Sequence, residues 1–340
     1  MSVQELSAVA SSIASKGKGI LAADESTPTI AKRFAQIDTE SNEESRRGYR
    51  ELLFTTPGVS EFISGVILFD ETLRQATKDG VPFAKYLSDH GMIPGIKVDK
   101  GAKPLPGFPG DKVTEGLDGL RERLEEYRGL GAKFAKWRAV IDISDVIPTD
   151  NCVRANAHAL ARYAALCQEA GIVPIVEPEV LMDGGHTIER CEEVTNVVLR
   201  ETFRELAIAG VAYEGMLLKP NMVISGKKCS QQAGVEEVAV ATIRCLTRFV
   251  PTAVPGIMFL SGGQSDEDAT AHLNAMNALG EHPWEVSFSY GRALQQAALK
   301  AWAGSPASVN AAQTTFYKRA KLNGLARYGK YNADMEAEAA

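Results

Sequence analysis

Residues 172–180 read IVPIVEPEV. The run is short and apolar, and its charges come only toward its end. In an extended chain side chains alternate between two faces, so Ile175, Glu177 and Glu179 share one side. The pattern describes a strand whose one face turns from apolar to acidic at the carboxyl end.

Seven other runs carry a related signature: GILAAD at 19–24, GVILFD at 65–70, IPGIKVD at 93–99, FAKWRAVI at 134–141, GMLLKP at 215–220, GIMFLSGG at 256–263 and EVSFSYG at 285–291. Longer segments of helical spacing separate several of them. Ala159–Ala170 places Leu160, Tyr163, Ala164 and Cys167 on one face. Val194–Ala209 does so with Val194, Val198, Phe203 and Leu206, and Val235–Val250 with Val238, Ala241, Ile243 and Leu246. Gly131 and Gly171 stand where C-terminal caps belong. Eight alternating strand–helix units across the chain predict an α/β fold, a TIM (β/α)8 barrel in a single domain. The competing architecture is an open doubly wound sheet. No Gly-x-Gly-x-x-Gly follows the first run, which weakens a dinucleotide-binding reading.

The expected organisation is a barrel over residues 1–329 with an N-terminal helical extension, where Leu6, Val9, Ala10 and Ile13 fit one helical face. A small, acidic, Ala-rich mobile tail is expected over 330–340. Residues 100–111, rich in Pro and Gly, read as one long loop.

Charges recur at the ends of five runs, on one alternating face. The sets are Ala22 and Asp24; Lys97 and Asp99; Lys136 and Arg138; Glu177 and Glu179; and Lys219 after Leu217. A single charge at a strand end is commonly just solvated. Mixed charges at the same level of five strands, on the face that points into a barrel, instead line one mouth, where such folds keep their active sites. Unpaired buried charge is costly, so the set must pair internally or meet a charged ligand.

A chemistry follows. A lysine amine attacks a carbonyl only when unprotonated, and free lysine titrates at about 10.4. Burial and a neighbouring cation lower that value. Lys219 ends an apolar strand, Pro220 stiffens the exit, and Lys136 lies within reach across a barrel mouth. The combination suits imine formation, with Glu177 and Asp24 as proton carriers. Ser261, Gly262 and Gly263 after the seventh run, and Gly291 and Arg292 after the eighth, mark a phosphate site. A Gly-Gly pair alone is commonly a turn; its pairing with Gly291-Arg292 gives it weight. Lys97 or Arg138 would hold a second phosphate.

Composition narrows the rest. A formal charge of −6 argues against a general nucleic-acid or anionic-membrane binder. Five cysteines without a C-x-x-C pair read as reduced core thiols, and five scattered histidines give no local metal motif. No apolar stretch is long enough for a membrane span, and the cytoplasm is the expected location.

The motifs GKGILAADEST at 17–27, GIKVDKG at 95–101, FAKWR at 134–138, GIVPIVEPE at 171–179, LLKPNMV at 217–223, FLSGGQS at 259–265 and FSYGRALQ at 288–295 closely resemble class I, Schiff-base-forming fructose-bisphosphate aldolases. The match runs from about Gly17 to Tyr331. The resemblance implies reversible cleavage of fructose 1,6-bisphosphate to dihydroxyacetone phosphate and glyceraldehyde 3-phosphate, without metal or cofactor. Lys219 would form the imine at C2. Glu177 would serve as general acid and base, and Asp24 would take the C4 hydroxyl proton. Lys136 would assist electrostatically, and Glu179 would support the network. Ser261, Gly262, Gly291 and Arg292 would hold the C1 phosphate. Lys97 and Arg138, helped by Lys32 and Arg33, would face the C6 phosphate. The resemblance also implies a homotetramer. Many such proteins end in a tyrosine, whereas 335–340 here reads MEAEAA. The alternatives are another Schiff-base lyase or transaldolase-like transferase on the same barrel, and a non-catalytic scaffold.

Overall fold

All eight runs form parallel strands in a computed structural model that describes residues 2–337. With two further short strands, numbered in chain order, they are β1 (Gly19–Ala23), β2 (Ile63–Leu68), β3 (Ile93–Lys97), β4 (Ala102–Pro104), β5 (Lys112–Thr114), β6 (Phe134–Ile141), β7 (Val173–Val180), β8 (Leu217–Leu218), β9 (Gly256–Phe259) and β10 (Glu285–Tyr290), of which β4 and β5 stand outside the barrel. A closed barrel runs β1-β2-β3-β6-β7-β8-β9-β10 and returns to β1. Helices follow the strands, so both faces of each are covered, and every residue of β7 is buried. This is the TIM barrel, and the open-sheet alternative falls because β1 pairs with both β2 and β10.

One residue set fills the interior. Ile20, Ala22, Ile67, Phe134, Val173, Ile175, Leu217 and Met258 pack in one cluster. These are the alternate-face residues, so the barrel is a packed core up to the level where the charges begin. Gly95 pairs in register with Phe134, and a Cβ there would lie 2.3 Å from the Phe134 ring. Only glycine admits the ring at that point. The N-terminal helix Val3–Ile13 closes the lower end, placing Leu6, Ala10 and Ile13 in the same cluster. A reciprocal Ser2–Glu5 capping box starts it.

Two sequence readings need amendment. Where a single long loop was expected, β4 and β5 form an antiparallel hairpin, tied to the helix Asp150–Glu169 by Asn156. The sixth strand is also shorter than its run. Pro220 brings no N–H; beyond Leu218 the ladder is continued by the Lys219 amide, which donates to Val176 O at 2.8 Å, and by Pro220 O, which accepts from Leu260 N at 3.1 Å. The helices Asp150–Glu169 and Ile188–Ile208 begin before the apolar spacing shows, because the Thr149 and Thr187 side chains cap them.

The segment from Lys330, read as a mobile tail, carries defined contacts through Ala337. Glu336 accepts from Arg319 at 2.6 Å, and Tyr331 Oη donates to Glu336 at 3.0 Å. The last three residues of that segment lie outside the described ones.

Candidate active site

The carboxyl ends of the strands open on a cavity of about 440 Å³. Its lining includes Asp24, Lys97, Lys136, Arg138, Glu177, Glu179 and Lys219, and on its rim Lys32, Arg33, Ser261, Gly262, Gly291 and Arg292. The candidate catalytic and phosphate-binding residues named from the sequence all line it, whereas Asp99, grouped with Lys97 on the charged face, does not.

At the floor stands a cluster of four charges. Lys219 Nζ lies 3.3 Å from Glu177 Oε1, and Lys136 Nζ lies 3.4 Å from Glu177 Oε2. Lys136 Nζ also reaches Asp24 Oδ2 at 2.6 Å. The two lysine side chains are each 5% exposed, so little water dilutes these interactions. Glu177 Oε2 is buried and lacks an aligned hydrogen bond despite its ion pair, which leaves it oriented into the cluster.

The electrostatics assign charge states. Burial pushes Asp24 up, but Lys136 and Lys219 outweigh it and hold the carboxyl well below the usual range. Burial pushes Lys136 down, yet Asp24 and Glu177 outweigh it and leave Lys136 well above an ordinary lysine. With no substrate bound, Asp24 is therefore an anion and Lys136 a cation near neutral pH. A buried amine beside a cation and a buried carboxylate is an arrangement compatible with imine chemistry.

Around this floor Arg138, Lys97 and Arg33 are each paired with a carboxylate. Arg138 binds Glu179, and Arg138 stands opposite Glu177 in the β6–β7 register. Lys97 donates to Asp99 Oδ1 at 2.5 Å and Asp99 O at 2.9 Å. Arg33 binds Glu25, and Lys32 is exposed at the rim. Arg33 Nη2 would meet a Gly291 Cβ at 3.7 Å, so Arg33 stands on the Gly291–Arg292 side. The sequence reading had grouped it with Lys97 and Arg138.

The loop after β9 has the form of an anion cradle. Gly262 adopts φ +57°, a conformation that favours glycine. Arg292 begins the helix Arg292–Trp302, donates to Gly262 O, and bridges the ends of β9 and β10. Burial lowers the Arg292 guanidinium from its ordinary value, and neighbouring Arg33 lowers it further. Crowded cations of this kind are relieved by an anion.

Several lining residues escaped the sequence reading. Glu25 points away from the alternating face used there, yet it accepts from Arg33, from Arg50 at 2.5 Å and from Gln295 at 3.0 Å. Ser289 is buried at the mouth and its hydroxyl has no partner. The alternation Ser287, Ser289, Gly291 in EVSFSYG carried a signal for it. Ser26, Met182 and Asp183 come from loops, where no periodicity operates, and Thr29 comes from the first turn of the short helix Thr27–Phe34. Among the described residues, no group of three or more His, Cys, Asp or Glu side chains is arranged to hold a metal ion.

The profile of the family fructose-bisphosphate aldolase class-I matches residues 5–340. A probable fructose-bisphosphate aldolase class 1 from Xanthomonas campestris pv. campestris is 63% identical over 332 residues, covering 97% of this chain and 99% of that one. The non-muscle fructose-bisphosphate aldolase of Lethenteron camtschaticum is 54% identical over 330 residues, covering 96% and 91%. Among solved structures, the fold is similar to fructose-bisphosphate aldolase from Plasmodium falciparum in complex with TRAP and a small-molecule inhibitor. The TM-score is 0.96 at 51% identity, covering 97% of this chain and 96% of that one.

Proposed function

The chain belongs to the class-I fructose-bisphosphate aldolase family, and from that premise we propose how its own residues divide the work. The reaction is a lyase reaction through a lysine Schiff base, and the substrate is a phosphorylated sugar.

Lys219 is the nucleophile. Its amine adds to the C2 carbonyl of the ketose, and the carbinolamine oxygen leaves as water after a proton from Glu177. The resulting iminium is an electron sink. Asp24 takes the C4 hydroxyl proton, the C3–C4 bond breaks, and its electron pair passes into the iminium to give an enamine. Glyceraldehyde 3-phosphate departs. The enamine is protonated at C3, and water then releases dihydroxyacetone phosphate and regenerates the amine. Lys136 stabilises the anionic partners throughout, and Glu179 holds Arg138 at the mouth.

Ser261, Gly262, Gly291 and Arg292 receive the C1 phosphate, with Arg33 beside them. Lys97 and Arg138 face the C6 phosphate, with Lys32 at the rim. A barrel over 1–329 with a separate terminal segment, a homotetrameric assembly and a cytoplasmic location complete the reading. The location draws on a relative named as cytosolic in Arabidopsis thaliana. No helix among the described residues is long and apolar enough to cross a membrane.

The observation that carries the assignment is the contact of Lys219 Nζ with Glu177 at 3.3 Å, with Lys136 on the same carboxylate. Borohydride reduction in the presence of dihydroxyacetone phosphate, followed by peptide mapping, tests it. A single adduct on Lys219, with activity retained in EDTA, supports the scheme. An adduct on another residue, or none, overturns it.

A further inference from the structure

One ion pair at the mouth has no part in the scheme above. Asp183 follows β7 and lines the cavity, and its carboxylate accepts from Lys227 Nζ at 2.8 Å. Lys227 lies beyond β8. Its ammonium rests against the phosphate loop, since a Cβ on Gly263 would lie 1.9 Å from Lys227 Nζ. The backbone fixes this placement. Lys227 N donates to Met182 O at 2.7 Å, Lys228 N to Gly184 O at 3.0 Å, and Gly263 N to Met182 Sδ at 3.0 Å. Three loops from three adjacent strands are thereby tied together, with the ion pair on their rim.

The surrounding charges give the pair a consequence. Asp183 is held below the usual carboxylate range by the Lys227 hydrogen bond, against partial burial, and Arg292 and Arg138 act in the same direction. Asp183 in turn acts on Arg292. An uncompensated carboxylate there would compete with an incoming phosphoryl group for Arg292 and would repel that group directly. Lys227 is the cation nearest to Asp183 and is committed to it.

We propose that Lys227 is a positioning residue for the phosphate loop: by neutralising Asp183 it keeps Arg292 available and sets the affinity of the Ser261–Gly263 subsite for a phosphoryl group. The inference rests on the reading of that loop as the C1-phosphate site. Both side chains are substantially exposed, 37% for Lys227 and 60% for Asp183, so the effect belongs to binding and weakens as salt rises.

The test compares wild type with Lys227→Gln, Asp183→Asn, the double variant and Arg292→Gln. Inhibition by inorganic phosphate, KM and kcat for fructose 1,6-bisphosphate, and thermal midpoint are measured at low ionic strength. Lys227→Gln is expected to weaken phosphate inhibition and raise KM by about threefold to tenfold, with kcat within about twofold. The double variant is expected to return to within about twofold of wild type, because the charge that Lys227 neutralised is gone. A Lys227→Gln protein with unchanged KM and phosphate inhibition overturns the proposal. So does a double variant as weak as Lys227→Gln, since Lys227 would then act without Asp183. If Arg292→Gln leaves phosphate inhibition unchanged, the phosphate-loop reading falls, and the role of the pair falls with it.

Discussion

Lys136 Nζ lies 2.6 Å from Asp24 Oδ2, a contact that spans two intervening strands of the barrel. It locks the charge states on which the floor of the site depends. Replacing Lys136 by Met leaves Asp24 and Glu177 buried without their shared cation, with Lys219 the one remaining lysine in the cluster. The loss in kcat is expected to be about 100-fold or more. Removing one partner of a buried pair costs about 3–5 kcal/mol of stability. The pH dependence follows from Asp24. Its folded value lies below the unfolded one, so its contribution in wild type is present above the unfolded value of about 3.9 and is lost as pH falls through the lower folded value. Burial is the largest single influence on Asp24, so without Lys136 it is expected to outweigh Lys219 and Lys97, and charging Asp24 would then oppose folding as pH rises. Urea unfolding should show a larger deficit for Lys136→Met at pH 7.5 than at pH 5. Equal deficits would show that Asp24 remains a carboxylate at pH 5 without this lysine, so that burial does not dominate there.

Glu177→Gln separates proton transfer from imine formation. Among the described residues, Glu177 is the carboxylate within 4 Å of Lys219 Nζ. Glutamine keeps the shape but cannot donate an acidic proton. Turnover is expected to drop by about 10²- to 10⁴-fold. Borohydride should still trap the adduct on Lys219 after long incubation, only more slowly. A Lys219→Gln protein should never be trapped. Trapping at the wild-type rate in Glu177→Gln would move the proton carrier elsewhere.

Glu25 connects packing to binding. Its two oxygens serve Arg33, Arg50 and Gln295, and the Arg50 side chain is only 2% exposed. Glu25→Gln leaves a buried guanidinium without its counter-charge, at a cost of about 3–5 kcal/mol. It also releases Arg33 from its place beside Gly291. Urea titration should show the stability loss, and KM should rise more than kcat falls. A stable variant with unchanged KM would reduce Glu25 to a bystander.

The uneven legibility of this site has a physical basis. The barrel and its charged mouth were readable because strand alternation converts position into direction. Lys136, Glu177 and Lys219 each stand an even number of residues from an apolar neighbour, Phe134, Ile175 and Leu217, inside one cluster. Loops carry no such period. Asp183 and Lys227 are 44 residues apart and meet only because the loops after β7 and β8 are neighbours. Glu25 lies one residue past Asp24 and points toward Arg50 on the helix Glu43–Phe54, so alternation directed attention away from it. The hairpin β4–β5 was hidden by Pro and Gly content, and its stabilising partner Asn156 lies on a distant helix. The direction of Arg33 depended likewise on a tertiary partner that local pattern does not encode.

The C-terminal segment gives a further test, because its contacts point to stability and not to chemistry. Glu336 meets Arg319, a residue 4% exposed, and its backbone oxygen accepts from Lys318 Nζ at 2.6 Å. Arg319 also donates to Asp266 O and to Thr270 Oγ1, so it keeps two acceptors if Glu336 is lost. None of the described residues after Arg292 lines the mouth cavity. Deleting residues 330–340 is therefore expected to leave kcat within about twofold and to lower stability by about 1–3 kcal/mol. Glu336→Gln alone should reproduce part of that loss by weakening the charge-assisted bond to Arg319. Thermal unfolding beside the bisphosphate cleavage assay distinguishes the cases. A truncated protein that unfolds like wild type but loses most of its cleavage rate would make the segment part of the catalytic machinery. A truncated protein that cleaves normally and unfolds earlier would identify it as a clasp between the helices Asp266–Ala278 and Val309–Ala326.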